Sequence, residues 1–279
     1  IDQYDLYIID QWGVLHNGHN GYKYAINCIE NLVTLQKKLI IISNSSKRQH
    51  TTIDKLLKLG FDKDNFAVVL TSGEMIWQNL YTKSEDFFKK LGNKCYHLAD
   101  KTTEDGLGYV NGLKYDFVEN IEEADFILGC TTSPGLRTLD YVPLLEKAIQ
   151  KKIPFICANP DYETVESSRE NFIICMGAVA ALYKDFGGVV FIMGKPSIKI
   201  YKEAIKNFKK INKKKMLAIG DSIHHDIKGA ENFGIDSLLI TSGIHKSHFD
   251  QSKPIWDNAK NNLLKYKIKP SYLCSKFQY

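Results

Sequence analysis

The stretch Leu6-Tyr7-Ile8-Ile9-Asp10-Gln11-Trp12-Gly13 decides the fold. Four apolar residues in a row, without polar alternation, predict a strand covered on both faces, because a strand with one wet face would alternate. The run ends on an aspartate, and Gly13 lets the chain bend sharply after it. The same pattern recurs. Short apolar runs stand at 39–42, 67–70, 126–128, 154–157, 189–193, 216–219 and 237–240. Longer amphipathic segments alternate with them, near 22–37, 48–60, 74–91, 141–152, 175–186, 197–210, 223–233 and 255–267. Strand–helix alternation of this kind predicts an α/β fold, a doubly wound and mostly parallel sheet with helices on both sides.

In such a sheet ligands bind at the carboxyl ends of strands, so reactive residues at those ends are the ones to find. Four ends qualify. One is Asp10, the second Ser43-Asn44-Ser45-Ser46, the third Gly194-Lys195-Pro196 and the fourth Gly220-Asp221-Ser222. A single sheet could bring all four together. Residues 75–187 contribute none of them, yet have strand and helix patterns of their own, and roughly 110 residues suffice for a separate domain. The expected organisation is a core of 1–74 plus 188–279 with an inserted α/β domain at 75–187.

Bulk properties narrow the function. The 279 residues are 44% hydrophobic and 25% charged, an ordinary globular mixture. No apolar run approaches the roughly 18 residues of a spanning helix, so no membrane partner is expected. The net charge is +5, but only Arg48, Arg137 and Arg169 are arginines, and the lysines are spread out apart from runs such as Lys213-Lys214-Lys215. Readers of nucleic acid lean on bidentate arginine, so nucleic acid is not expected as a partner. The six cysteines form no C-x-x-C pair, and several lie inside apolar runs. They read as buried thiols in a reducing compartment. The opening Ile1-Asp2-Gln3-Tyr4-Asp5 has no basic-then-apolar leader pattern. A cytoplasmic location and no structural zinc are expected.

Each site residue has two readings. Asp10 could cap a turn, or it could attack phosphorus if a cation offsets the repulsion between two anions. Asp221 and Asp226 could be an N-cap and a first-turn acid, or paired carboxylates around Mg²⁺, which favours oxygen ligands. Ser43 and Asn44 could cap a helix or cradle an anion with hydroxyl, amide and backbone N–H groups. Lys195 could be a surface lysine in a turn, or a charge that steadies a phosphoryl group and its nucleophile. His16, His224 and His225 could move protons or serve as hydrogen-bonded structural residues. A Ser–His–Asp hydrolase finds no support, since there is no G-x-S-x-G elbow.

Taken together and in this order, the Asp10, Ser43, Lys195 and Gly220-Asp221 segments resemble the haloacid dehalogenase superfamily. The large insertion between the second and third segments is similar to class IIA, the NagD-type and p-nitrophenyl-phosphatase-like branch. So are Thr71-Ser72-Gly73-Glu74, Ala158-Asn159-Pro160-Asp161 and Gly194-Lys195-Pro196-Ser197. The resemblance spans essentially the whole chain. It implies a Rossmann-like core with a type C2 cap and a Mg²⁺-dependent phosphatase acting on a small phosphorylated metabolite. By the same resemblance, Asp10 is the nucleophile, and Asp10, Asp221 and the Trp12 carbonyl bind Mg²⁺. Asp226 supports the metal shell and Lys195. Ser43, the Asn44 backbone and Lys195 hold the phosphoryl group, and Asn159 and Asp161 face the leaving group from the cap. Relatives of the branch often associate through the cap, which admits a homodimer. Substrate choice would fall to cap residues such as 162–171, where Arg169 could meet a second anionic group.

One position departs from the pattern. Family phosphatases usually have a second aspartate two residues after the nucleophile, to protonate the leaving group and then activate water; here that residue is Trp12. General acid–base help is worth about 10²–10⁴-fold. Either a neighbour such as His16 substitutes, or good leaving groups are preferred, or turnover is slow. A phospho-ligand-binding protein with little catalysis is therefore the rival expectation.

Overall fold

The computed structural model describes residues 2–165, 172–208, 210–249, 263 and 267–279. The strands are β1 (Leu6–Ile9), β2 (Lys38–Ser43), β3 (Val68–Thr71), β4 (Lys94–Leu98), β5 (Asp116–Val118), β6 (Phe126–Gly129), β7 (Phe155–Cys157), β8 (Glu163–Val165), β9 (Phe172–Ile174), β10 (Val190–Ile192), β11 (Met216–Gly220), β12 (Asp236–Ile240) and β13 (Tyr272–Cys274). The α-helices are α1 (Lys23–Thr34), α2 (Gln49–Lys58), α3 (Ser72–Thr82), α4 (Asp86–Lys89), α5 (Glu104–Gly108), α6 (Val142–Lys151), α7 (Met176–Asp185), α8 (Ile198–Ala204) and α9 (Lys228–Phe233).

Two parallel sheets organise these elements. The first has six strands in the order β13-β12-β11-β1-β2-β3, and the second has five in the order β10-β7-β6-β4-β5. The strands β8 and β9 form an antiparallel ribbon. The apolar run that opens the chain lies at the centre of the first sheet, pairing Leu6–Ile9 with β11 on one side and β2 on the other. All four of its residues are buried. Period-two geometry divides them between two cores. Leu6 and Ile8 join Ile40, Ile42, Met216 and Ala218 on the face covered by α3, α8 and α9. Tyr7 and Ile9 join Leu39, Ile41, Leu217 and Ile219 on the face covered by α1 and α2. The α/β doubly wound architecture expected from uninterrupted apolar runs is thus present, with helices on both faces.

Several expectations require correction. Val190–Ile192, placed on the core side of a boundary at 187/188, hydrogen-bonds Phe155–Cys157 and so belongs to the second sheet. Consequently the four reactive segments do not come from one sheet. Asp10 and Asp221 follow strands of the first and Ser43 ends one, whereas Lys195 follows an edge strand of the second. The helix expected over 74–91 is two helices, separated at Lys83, which takes a left-handed φ of 52°. Helix 197–210 stops after Ala204. The pattern at 255–267 lies almost wholly outside the described residues, as does Arg169. Strands β4, β5, β8, β9 and β13 were not anticipated. Lys94–Leu98 mixes lysine and histidine with apolar residues, and Asp116–Val118 and Tyr272–Cys274 are short edge strands, so none offers a long apolar run.

No helix among the described residues is long and apolar enough to cross a membrane. All six cysteines are free, five of them buried, and burial raises the thiol pKa of Cys28, Cys95, Cys130, Cys157 and Cys175.

His97 of β4 lies near the rings of Tyr109 and Phe117. Burial, aided by Lys101, pushes its pKa down to about 4. An unfolded histidine titrates near 6.5. Between these values the unfolded chain holds a proton that the folded chain does not, so stability falls as pH drops through that window. The replacement His97→Phe should flatten the dependence of the urea midpoint on pH between about 6.5 and 4. An unchanged slope would show that His97 titrates normally in the fold.

Candidate active site

The site begins with three acids. Asp10 follows β1, Asp221 follows β11, and Asp226 lies one turn further on. They are 8%, 7% and 4% exposed. A carboxylate oxygen from each can be chosen so that all lie within 4.8 Å of one another. Burial of three acids this close is unfavourable unless cations offset them. One cation is built in. Lys195, 2% exposed, sends its Nζ to Asp10 Oδ1 at 2.6 Å and to Asp226 Oδ1 at 2.7 Å. Burial alone would lower the lysine pKa, but the charges of Asp10 and Asp226 reverse this and raise it well above the usual value.

A single positive charge does not neutralise the trio. Burial pushes Asp10 up to about 7, against the pull of Lys195. Burial, with Asp10 and Asp226 nearby, lifts Asp221 well above the ordinary carboxylate range. Such under-compensated oxygen donors suit a hard divalent cation, and the residues present therefore fit Mg²⁺. Their roles differ. Asp226 has both oxygens engaged, Oδ1 by Lys195 and Oδ2 by the Ser222 N–H at 3.0 Å. Asp10 accepts from Lys195, and Asp221 accepts from the Ile244 N–H at 2.8 Å, which leaves an oxygen of each for a cation. The pair Asp10 and Asp221 is thus placed to ligate, while Asp226 is placed to hold the lysine.

Local backbone explains the convergence. Gly13 has φ of +74°, and a Cβ there would come within 1.8 Å of Asp221 Oδ2. Only glycine allows the turn after Asp10 to pass this close to Asp221. After β11, Ile223–Ile227 form a single π-helical turn, with Asp226 N–H donating to Ser222 O at 2.9 Å and Ile227 N–H to the same oxygen at 3.2 Å. This wide turn, a feature frequent at functional sites, directs Asp226 back toward Lys195.

Asn44 does more than the sequence suggested. Its Oδ1 accepts from the Lys195 N–H at 2.7 Å, and its Nδ2 donates to Lys195 O at 3.1 Å and to Asp161 Oδ1 at 2.7 Å. One side chain thereby fixes the lysine loop and joins it to the loop after β7. Ser43 is 2% exposed, and its Oγ accepts from Ser45 N–H at 3.2 Å. Asp161 also lies 3.1 Å from His225 Nδ1, which in turn is 3.1 Å from Ser222 Oγ. Asn159 stands one step back, its Oδ1 accepting from Asp161 N–H at 3.1 Å.

The Thr71-Ser72-Gly73-Glu74 segment buttresses the loop after β2. Glu74 takes two hydrogen bonds from Arg48, at 2.7 and 3.3 Å, and one from Gln49 N–H at 2.9 Å. Burial alone would raise the Glu74 pKa, but these bonds lower it. Thr71 Oγ1 donates to Lys47 O at 2.6 Å. No catalytic residue type marks this role, and only the motif's position hinted at it.

Trp12 lies two residues after Asp10. Its ring meets the His16 ring edge-on, with centroids 5.3 Å apart, and Lys55 Nζ lies 4.9 Å from its centroid. His16 is 1% exposed. Burial, with Lys55 and Lys47 nearby, pushes its pKa down to about 3. Its Nδ1 accepts from Gly18 N–H at 3.1 Å. His16 is therefore a neutral structural histidine and a poor substitute for the missing acid. His224 and His225 sit on the π turn instead.

Residues 7–110 match the family described as haloacid dehalogenase-like hydrolase, and residues 192–277 match the HAD-hydrolase-like family. The chain is 24% identical over 268 residues to the 4-nitrophenylphosphatase of Schizosaccharomyces pombe, covering 88% of this chain and 86% of that protein. It is 25% identical over 244 residues to the acid sugar phosphatase of Staphylococcus haemolyticus, covering 86% of each. A crystal structure of a haloacid dehalogenase-like hydrolase from Brucella suis 1330 superposes with a TM-score of 0.81 at 26% identity, covering 99% of this chain and 96% of that one.

Replacing Lys195 by methionine should cost about 3–5 kcal/mol, the usual effect of stranding buried charges. Urea unfolding in metal-free buffer measures it. A loss below about 1 kcal/mol would mean that the lysine does not hold the acids together.

Proposed function

Because this chain belongs to the haloacid dehalogenase-like hydrolases of class IIA, we propose that it is a Mg²⁺-dependent phosphatase hydrolysing a small phosphorylated metabolite, such as a sugar phosphate or nucleotide. The observation that carries this reading is Asp10, buried at the end of β1 with Lys195 Nζ at 2.6 Å and two further acids beside it. The names of the yeast and staphylococcal relatives support phosphomonoester hydrolysis as the chemistry.

In this mechanism Ser43 and the Asn44 backbone hold the phosphoryl oxygens. Lys195 holds Asp10 in place and favours its ionised form. Asp10 attacks phosphorus, the bond from phosphorus to the ester oxygen breaks, and an aspartyl-phosphate forms. Water then attacks that phosphorus, releasing phosphate and restoring Asp10. Asn159 and Asp161 face the leaving group, and the bond from Asn44 to Asp161 ties their loop to the nucleophile's surroundings. Mg²⁺, held by Asp10, Asp221 and the Trp12 carbonyl with Asp226 in support, would supply the positive charge that lets two anions approach. A cytoplasmic site of action and a homodimer through the second domain belong to the same proposal.

A second reading rests on Trp12. An indole in place of an acid cannot protonate a leaving oxygen, and His16 does not replace it. This favours a phospho-ligand-binding protein with little turnover.

Hydrolysis of p-nitrophenyl phosphate with Mg²⁺ separates the two. The enzyme reading expects activity that is lost on adding a chelator and is absent in Asp10→Asn. Equal rates for the intact protein and Asp10→Asn would remove it. If the missing acid limits turnover, Trp12→Asp should raise the rate on alkyl phosphates by about 10²-fold and change p-nitrophenyl phosphate far less. Circular dichroism of the variant establishes that it still folds.

A further inference from the structure

Hydrolysis of a phosphomonoester moves a proton twice, once onto the departing ester oxygen and once off the attacking water. The groups around Asp10 differ in their fitness for that task. Trp12 has no acidic proton to give, and His16 is buried and neutral. Asp226 has both oxygens engaged. Asp10 and Asp221 are placed to ligate a cation. Asp161 remains. Its charge acts on both Asp10 and Lys195, which puts it in the surroundings of the nucleophile. Its side chain is 36% exposed, so a ligand can reach it.

The two oxygens of Asp161 are not equivalent. Oδ1 accepts from Asn44 Nδ2 at 2.7 Å and lies 3.1 Å from His225 Nδ1. Among the described residues, no hydrogen bond reaches Oδ2. That division suits a group that gains and loses a proton. A carboxyl can carry a proton on one oxygen and still accept on the other, so neither contact at Oδ1 has to break when Oδ2 changes state. The backbone is held as well. Asp161 N–H donates to Asn159 Oδ1 at 3.1 Å, and Asp161 O accepts from the Gly177 N–H of α7 at 3.0 Å. Tyr162 O accepts from Cys175 N–H at 2.8 Å. Asn44 in turn grips the backbone of Lys195, whose Nζ touches Asp10. A continuous set of contacts thus runs from Asp161 Oδ1 to the nucleophile.

We propose that Asp161, through Oδ2, is the general acid and base of this site, the role that Trp12 cannot fill. The proposal rests on Asp10 being the nucleophile. In the first step Asp10 bonds to phosphorus and the ester P–O bond breaks, its electron pair staying on the ester oxygen. That oxygen takes the proton from Asp161 Oδ2 and leaves as an alcohol. In the second step water bonds to phosphorus and gives a proton to Oδ2. The P–O bond to Asp10 breaks, and its electron pair returns to the Asp10 carboxylate. One monoester and one water become one alcohol and one phosphate, and Asp161 ends protonated as it began. Asn44 and His225 are positioning residues, since they face Oδ1 and touch no reacting atom.

Leaving-group dependence tests this on the full chain with Mg²⁺. Phenolate is a far stronger base than p-nitrophenolate, so phenyl phosphate needs the proton more, although the two substrates are close in shape. Asp161→Asn keeps an acceptor for Asn44 and loses the acid. It should raise the ratio of kcat/KM for p-nitrophenyl phosphate over phenyl phosphate by at least about tenfold. This ratio does not depend on how much of the variant is folded. The same variant should release a burst of p-nitrophenolate, because the aspartyl-phosphate forms faster than water removes it. A ratio that Asp161→Asn leaves unmoved, whether both rates fall together or neither falls, would reduce Asp161 to an anchor of its loop and overturn the proposal while leaving Asp10 as nucleophile. A raised ratio without a burst would overturn the base half of the role. Equal hydrolysis of p-nitrophenyl phosphate by the intact protein and Asp10→Asn would overturn the catalytic reading itself, and this proposal with it.

Discussion

The contact of the Lys195 ammonium with Asp10 and Asp226 is the constraint on which the rest of the arrangement depends. Three carboxylates within 4.8 Å of one another repel in a buried setting. One lysine reduces that repulsion without ending it. The remaining imbalance is one that a divalent cation would offset. The surrounding fold is arranged around this charge. Glycine at position 13 admits Asp221, the π turn returns Asp226 to the lysine, and Asn44 grips the lysine backbone from both its N–H and its carbonyl. Lys195 arrives from the second sheet, so the cluster also fastens that sheet to the first.

Much of this was legible in the sequence, and the physical reason is hydrophobic pattern. Leu6–Ile9 and the β2 and β11 runs are uninterrupted because both faces of a parallel sheet are covered, and an uninterrupted run is visible without a structure. The acids were legible because a polar residue at the end of such a run is uncommon. What escaped notice has equally physical causes. Lys94–Leu98 lacks a long apolar run. Val190–Ile192 has the right pattern for a strand, but pattern carries no information about which sheet a strand joins. The π turn cannot be told from an α-helical turn by spacing, since both bring Asp226 near Asp221. The bridging role of the Asn44 side chain depends on residues more than a hundred positions away, Asp161 and Lys195. The buttress from Glu74 to Arg48 is an ordinary ion pair until its position against the loop after β2 is known.

Trp12 gives the site its individual character. The resemblance drawn from the sequence leads one to expect an acid at that position. Here the indole packs on Gly18, meets the His16 ring and lies under Lys55. The substitution removes a proton donor and builds an aromatic wall in the same step. Loss of an acid need not mean loss of catalysis, because the demand for a proton depends on the leaving group.

The central claim is that Asp10 and Asp221 share one divalent cation. Its most direct measurement is the thermal unfolding midpoint with and without Mg²⁺, for the intact protein and for Asp221→Asn. A ligand that binds only the folded chain raises stability with its concentration. The account predicts a midpoint that climbs with Mg²⁺ in the intact protein and stays flat in Asp221→Asn. A midpoint indifferent to Mg²⁺ in the intact protein, or climbing equally in both, would contradict it.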